Sequence, residues 1–254
     1  MRKKVLKNLF IFSLALLAFF VVAPGAALAH NPHLVNDSGK TVKVETPEIS
    51  QAFYGVLQGA PQFFEINSDK DFALYVNLLV PKLPDINKGL LFEIYKVQDG
   101  NQQLIAKLDG ETFSWTEFYE PFGGDTYLKG PEFKAQEPKG DYLIKVSHCH
   151  ADEPQTPQEQ ASCAFSKYIL AIGEQESFPP KEILNTILLL PALKKNFFDR
   201  SPLTAYFNYT GLFLLGALII LAAAAILAGL LIKKARRKKR DNLKNYGPGQ
   251  PDKS

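Results

Sequence analysis

The chain has 254 residues, a formal net charge of +3, 46% apolar residues and two cysteines. That apolar share excludes a wholly disordered chain, and two cysteines exclude a disulfide-dense scaffold. The positive balance sits at the two ends: residues 1–29 carry +4, residues 233–254 carry +7 and the part between carries −8, which excludes nucleic acid as a partner of that middle part.

Arg2, Lys3, Lys4 and Lys7 precede an apolar run over residues 9–22, and Ala27-Leu28-Ala29 follows. A basic segment, an apolar segment and small residues at −3 and −1 predict a secretory signal over residues 1–29, cleaved before His30. The exported part is then a domain over residues 30–176, a membrane-proximal segment over 177–202 and a transmembrane region over 203–232. Its core, residues 211–232, has 22 residues and no charge. At ~1.5 Å per residue it just spans a ~30 Å hydrocarbon core. Eight residues follow at once, seven of them Lys or Arg, beginning at Lys233 and Lys234. The positive-inside rule places residues 233–254 in the cytoplasm and residues 30–202 outside, on a single-pass protein of the cytoplasmic membrane. The tail can also hold anionic lipid headgroups, and residues 233–254 are expected to be disordered, their Gly- and Pro-bearing end above all.

Along the exported part, short segments with a period of two are separated by Gly, Pro, Asn and Asp. Candidate strands are residues 42–45, 62–66, 72–80, 90–97, 103–107, 112–118, 132–134, 140–146 and 167–172. In the third of these Phe72, Leu74, Val76, Leu78 and Val80 share one face, with Tyr75 and Asn77 on the other. Tyr142, Ile144 and Val146 align likewise, as do Tyr168, Leu170 and Ile172. Such spacing of strands and turn residues predicts an antiparallel β-sandwich. Asn67, Asp69 and Asp71 have the 1, 3, 5 spacing of a calcium loop, but Phe72 occupies the place of the required Gly, so a turn is expected there.

The strand Gly140-Asp141-Tyr142-Leu143-Ile144-Lys145-Val146, read as a hairpin with the later Lys167-Tyr168-Ile169-Leu170-Ala171-Ile172-Gly173, resembles the end of the bacterial pre-peptidase C-terminal type of jelly-roll domain. Phe63–Ile66, then Asp69-Lys70-Asp71 and residues 72–80, match its earlier strands. The resemblance covers residues 60–174. The exported domain also resembles a group of bacterial exported proteins held by one C-terminal helix. It implies a mainly β, jelly-roll-like sandwich that binds or supports, and it brings no catalytic residues.

Four histidines form two pairs, His30 with His33 and His148 with His150. A free His30 amine and ring could bind Cu(II), with His148 or His150 as third nitrogen ligand. Pro32 at the third position rules out the amide-nitrogen copper motif. The other reading makes all four plain polar residues and leaves the protein without a cofactor. Cys149 and Cys163 flank a polar stretch, and in an oxidising compartment they should form a disulfide closing a 15-residue loop; a Cys/His metal site with His148 and His150 is the alternative, off the usual zinc spacings.

Trp115, Phe118, Tyr119, Phe122 and Tyr127, interleaved with carboxylates, could stack on a sugar or pack a loop onto the sandwich. No Gly-x-Ser-x-Gly, His-Glu-x-x-His or phosphate-binding loop occurs, so no enzyme activity is expected. Ile183, Leu184, Ile187 and Leu188, continued by Leu190, Leu193 and Phe197, predict an amphipathic helix that Pro179 and Pro180 start and Pro191 breaks or kinks. It could rest on the sandwich or on the bilayer. The function expected is a membrane-tethered binding or structural module facing an unidentified extracellular or periplasmic partner. An exported copper protein built on His30 is the alternative.

Overall fold

The structure, a computed structural model, describes residues 30–35, 39–148, 165–177 and 179–245. The predicted signal, Cys149, His150 and Cys163 lie outside these residues, as do the expected disulfide and the alternative Cys/His site.

Residues 26–210 form one compact unit and the helix beyond residue 211 belongs to another. The first unit is a sandwich of two sheets. Its strands are β1 Asn31–Leu34, β2 Val42–Val44, β3 Gln51–Leu57, β4 Gln62–Ser68, β5 Phe72–Pro81, β6 Leu90–Gln98, β7 Asn101–Asp109, β8 Thr116–Glu120, β9 Asp125–Glu137, β10 Gly140–His148 and β11 Ser166–Ile172. Six form one sheet in the order β1-β3-β11-β5-β9-β8, and five form the other in the order β2-β4-β10-β6-β7. Pairing is antiparallel except at one edge of each sheet, where β1 joins β3 and β2 joins β4 in parallel. The chain thus lays its first strand on one sheet and its second on the other.

The alternating residues meet between the sheets. Phe72, Leu74, Val76, Leu78 and Val80 of β5 join Tyr142, Ile144 and Val146 of β10 and Tyr168, Leu170 and Ile172 of β11 in one buried cluster. Burying an aliphatic or aromatic side chain of this size contributes ~1.5–3 kcal/mol each, so this layer dominates the fold. Asn77, on the other face of β5, is buried and donates to the carbonyls of Gly130 and Pro131 at 3.1 Å, satisfying backbone where the β5–β9 register shifts.

One expectation needs correction. β10 and β11 are not a hairpin: β10 pairs with β4 and β6, β11 with β3 and β5, in opposite sheets. The connection between them is long enough to cross from one sheet to the other, whereas a two-stranded hairpin closes with a few residues. Each strand still buries its tyrosine fully. The expected turn occupies residues 69–71 between β4 and β5: Asn67, near the end of β4, donates to Asp141, and Asp71 accepts the Lys139 amide at 3.0 Å.

Helix α1, Pro180–Asn196, lies on the outer face of the six-stranded sheet. Pro180 starts it, as expected. Pro191, however, sits inside it without ending it. Proline has no amide hydrogen, so the carbonyl of Ile187 loses its helical donor. The hydroxyl of Tyr206 takes that place, donating to Ile187 O at 3.0 Å. Tyr206 ends a 3₁₀ helix, Pro202–Tyr206, packed on α1. Tyr206→Phe should therefore cost about 1 kcal/mol and speed amide exchange in the last turns of α1. The loss should shrink in a Pro191→Ala background, where the helix supplies its own donor; equal losses in both backgrounds would refute this pairing.

Helix α2, Tyr209–Asn245, has 37 residues, and its apolar part is long enough to cross a membrane. The tail expected to be disordered from residue 233 is helical to Asn245. Lys and Arg are good helix formers, and their charge is favoured at a helix C-terminus.

Candidate functional site

A buried ion pair and a buried tyrosine pair lie between the outer face of the six-stranded sheet and α1. Ala52 and Tyr54 of β3, Leu79 of β5, Tyr127 of β9 and Ile169 and Ala171 of β11 supply the floor of this region; Leu193, Phe197 and Phe198 cover it. Tyr54 meets Phe197 edge-on at 5.1 Å between centroids, and Tyr127 meets Phe198 at 5.2 Å. Beneath them the Tyr54 and Tyr127 hydroxyls bond each other at 2.8 Å. Burial pushes both phenols up, and the carboxylates of Glu120 and Asp125 push them the same way. Both are neutral at any ordinary pH.

The turn from β8 to β9 brings the charges. Glu120 accepts the amides of Phe122 at 2.7 Å and Gly123 at 2.6 Å. Burial raises its pKa, and those two amides and Lys194 work against the rise. Asp125, 3% exposed, pairs with Lys194 Nζ at 2.6 Å, and Lys194 is 1% exposed. Lys194 also donates to the carbonyl of Gly123. Arg200 reaches Asp125 at 3.3 Å and the carbonyl of Gly124 at 3.0 Å. Gly124 has φ +70°, the left-handed region where a side chain strains the backbone, so this tight turn is a place for glycine. A charge on the helix face that otherwise buries Leu190, Leu193 and Phe197 reads in sequence as a solvated lysine. Only Asp125, distant in the chain, explains it.

The fastening continues to the edge of the unit. Lys167 bonds Phe197 O at 3.1 Å and Asp199 at 2.8 Å. Asn208 donates to the carbonyls of Gly123 at 2.7 Å and Ala205 at 2.8 Å, and Thr210 donates to Phe122 O at 2.9 Å. The segment after the sandwich is a strap with a buried ion pair at its centre. A pocket of about 70 Å³ remains beside it, with His30, Tyr54, Glu120, Asp125, Tyr127 and Leu190 in its wall.

The histidines go to different places. His30 lies in that pocket wall, its Nδ1 bonded to Ser50. Burial, with Lys129 nearby, lowers its pKa to about 4, so the ring is neutral at pH 7. His33 stacks on Phe53, a residue of the inter-sheet core, at 5.1 Å. His148 is buried at the end of β10, and neither ring nitrogen has a hydrogen-bond partner among the described residues. His30 precedes Asn31, which pairs with Gln51 at the start of β3. His148 stands two residues beyond Val146, which pairs with Gln62, just after the end of β3 at Leu57. The length of β3, ~20 Å at ~3.3 Å per residue, separates the two, and they belong to different sheets. His30 and His148 are therefore not brought together, and the alternative third ligand, His150, lies outside the described residues. The physical obstacle between His30 and His148 is topology: β1 runs parallel to β3 and enters from the far end. Among the described residues no group of three or more His, Cys, Asp or Glu side chains is placed to hold a metal ion.

The aromatic segment is divided too. Trp115 is half-buried against the inter-sheet core and donates to Gly110 O at 2.7 Å. A β-carbon on Gly130 would lie 2.6 Å from its ring, so Trp115 seats the crossover from β7 to β8 on bare backbone. Phe118 and Tyr127 face α1, while Tyr119 and Phe122 are exposed. The five do not form one stacking platform.

No family model matches the chain, and no curated protein matches it. Among solved structures it is similar to the pre-peptidase C-terminal domain of a collagenase from Bacillus anthracis, at 12% identity over 53% of this chain and 96% of that one, TM-score 0.31. It is also similar to the Yersinia pseudotuberculosis-derived mitogen, at 10% identity, 52% and 92% coverage and TM-score 0.31. A third is CorA, a surface-associated copper-binding protein of Methylomicrobium album BG8, at 7% identity, 54% and 98% coverage and TM-score 0.30. The chain is a two-sheet β-sandwich followed by a helix long and apolar enough to span a membrane.

Proposed function

We propose that this chain is an exported β-sandwich, tethered by one transmembrane helix, that binds or supports a partner outside the cytoplasmic membrane and performs no catalysis. The observation that carries this reading is the strap. The buried polar groups most able to do chemistry, Asp125, Lys194, Glu120 and the Tyr54–Tyr127 pair, are bonded to one another or to backbone. They fasten residues 180–210 to the sandwich and leave a pocket of about 70 Å³ beside them. A fixed head that is secured as far as Thr210, the residue before the charge-free run, suits display at a membrane. The signal and the basic block after residue 232 set its direction.

Protease added to intact spheroplasts carrying a C-terminal epitope should remove the sandwich and leave the epitope on a protected fragment. Loss of the epitope from intact spheroplasts, or a full-length chain released by alkaline carbonate, would overturn this reading.

A further inference from the structure

Helix α1 is apolar on two sides. One side is spent on the sheet. The other carries Leu184, 57% exposed, and Leu188, 67% exposed. The 3₁₀ helix that packs on α1 adds Leu203 at 77%, and just beyond it stand Phe207 at 86% and Tyr209 at 59%. A soluble surface rarely gathers large apolar side chains this way without a partner.

We propose that this face of the sandwich unit is a membrane-contact surface, seated in the headgroup layer of the outer leaflet. The inference rests on the reading that residues 211–232 span a bilayer, and adds to it where the head itself sits. Chain length chooses the occupant. Residue 211 is at the hydrocarbon boundary if the charge-free run spans it. Phe207 is four residues away, at most ~14 Å of fully extended chain. The 3₁₀ helix advances only ~2 Å per residue, so Leu203 stays near as well. Leu188 is the next residue after Ile187, whose carbonyl is held by Tyr206, five residues before residue 211. The headgroup region is several ångströms thick on each side, so these side chains cannot stand far from it. Their chemistry suits it: Tyr and Phe are at home at the interface, leucines enter the acyl boundary, and Lys181 and Lys195 at the two ends of α1 are exposed for anionic headgroups. α1 therefore serves the sandwich with one side and lipid with the other.

The chain has one tryptophan, Trp115, which is half-buried between the sheets and serves as an internal reference. Full-length protein carrying Leu188→Trp, and separately Phe207→Trp, would be reconstituted in phosphatidylcholine and phosphatidylglycerol vesicles with or without brominated acyl chains. Each variant should gain a blue-shifted emission component that bromolipid quenches, while the wild-type emission keeps its intensity. Red, unquenched emission from both positions, in protein that alkaline carbonate does not release, would overturn the lipid surface and leave the tether standing. A blue-shifted but unquenched component that grows with protein density would overturn it in favour of a second copy of the chain. Release by carbonate would overturn both readings.

Discussion

Asp125→Ala should free the strap before it unfolds the sandwich. Among the described residues Asp125 is the one carboxylate bonded to both Lys194 and Arg200, and both Asp125 and Lys194 are buried. Truncating it leaves the Lys194 ammonium buried without its ion-pair partner, bonded to the Gly123 carbonyl and near the face of Phe198, with the Glu120 carboxylate interacting only through space. Breaking one side of a buried pair costs about 3–5 kcal/mol, because the surviving charge stays desolvated. Lys194→Met should cost clearly less. The thioether fills a similar volume and carries no charge, and Asp125 keeps Arg200. The double variant Asp125→Ala with Lys194→Met should recover much of the Asp125→Ala loss, since no orphaned charge remains. The layer between the sheets does not touch this pair, so the failure should be local first. Hydrogen exchange on the full chain in detergent should show residues 180–197 losing protection in Asp125→Ala, with β5, β10 and β11 still protected. Uniform loss across the strands, or a Lys194→Met loss as large as that of Asp125→Ala, would refute the lock.

The strands legible in sequence were those with a row of large apolar residues at every second position, whatever covers the other face. β5, β10 and β11 announce themselves through Leu74, Ile144 and Leu170 at every second position. β3 does not. Gln51-Ala52-Phe53-Tyr54-Gly55-Val56-Leu57 is buried on both faces, against the core at Phe53 and Leu57 and against α1 at Ala52 and Tyr54. In β3 both covered faces carry apolar or small residues with no alternation to read, and Gly55 interrupts what apolar run there is. β1 hid for another reason: its four residues, Asn-Pro-His-Leu, resemble a loop, and only parallel pairing with β3 makes them a strand. The strap was half legible. Its helix and the start at Pro180 followed from period and proline chemistry. The survival of the helix through Pro191 did not, because the compensating donor, Tyr206, is fifteen residues on. Nor did the site around Asp125, because its meaning comes from a lysine 69 positions away. The histidines taught the opposite lesson. Two short clusters in a chain suggest a shared site, yet strand direction sent His30 and His148 to opposite ends of the sandwich.

Gly55→Ala should be among the most damaging single substitutions in the protein, although it adds only one carbon. Gly55 pairs directly with Tyr168 on β11. The ring of Tyr168 lies across it so closely that a β-carbon would stand 2.3 Å from both the ring Cζ and the hydroxyl oxygen. That approach is far inside van der Waals contact, and Tyr168 is 1% exposed, with Phe64 edge-on to it at 6.5 Å. The ring has no open space to enter. Overpacked cores typically lose about 1–3 kcal/mol, and this site should reach or pass the upper end. The cause is space and not backbone freedom, which gives a sharp check. Tyr168→Leu alone should also destabilise, through the cavity it leaves. Combined with Gly55→Ala it should destabilise by much less than the two losses added, with a coupling of about 1–3 kcal/mol. Tyr168→Phe separates size from polarity. The Tyr168 hydroxyl is buried with no hydrogen-bond partner among the described residues, and burial pushes its pKa far up. Removing it should leave stability unchanged or raise it, since an unmet buried hydroxyl is a cost that the phenyl ring does not carry. Denaturant titration of the full chain and these four variants in detergent would measure each term. Strict additivity of Gly55→Ala and Tyr168→Leu would show that Gly55 is needed for something other than room for that ring.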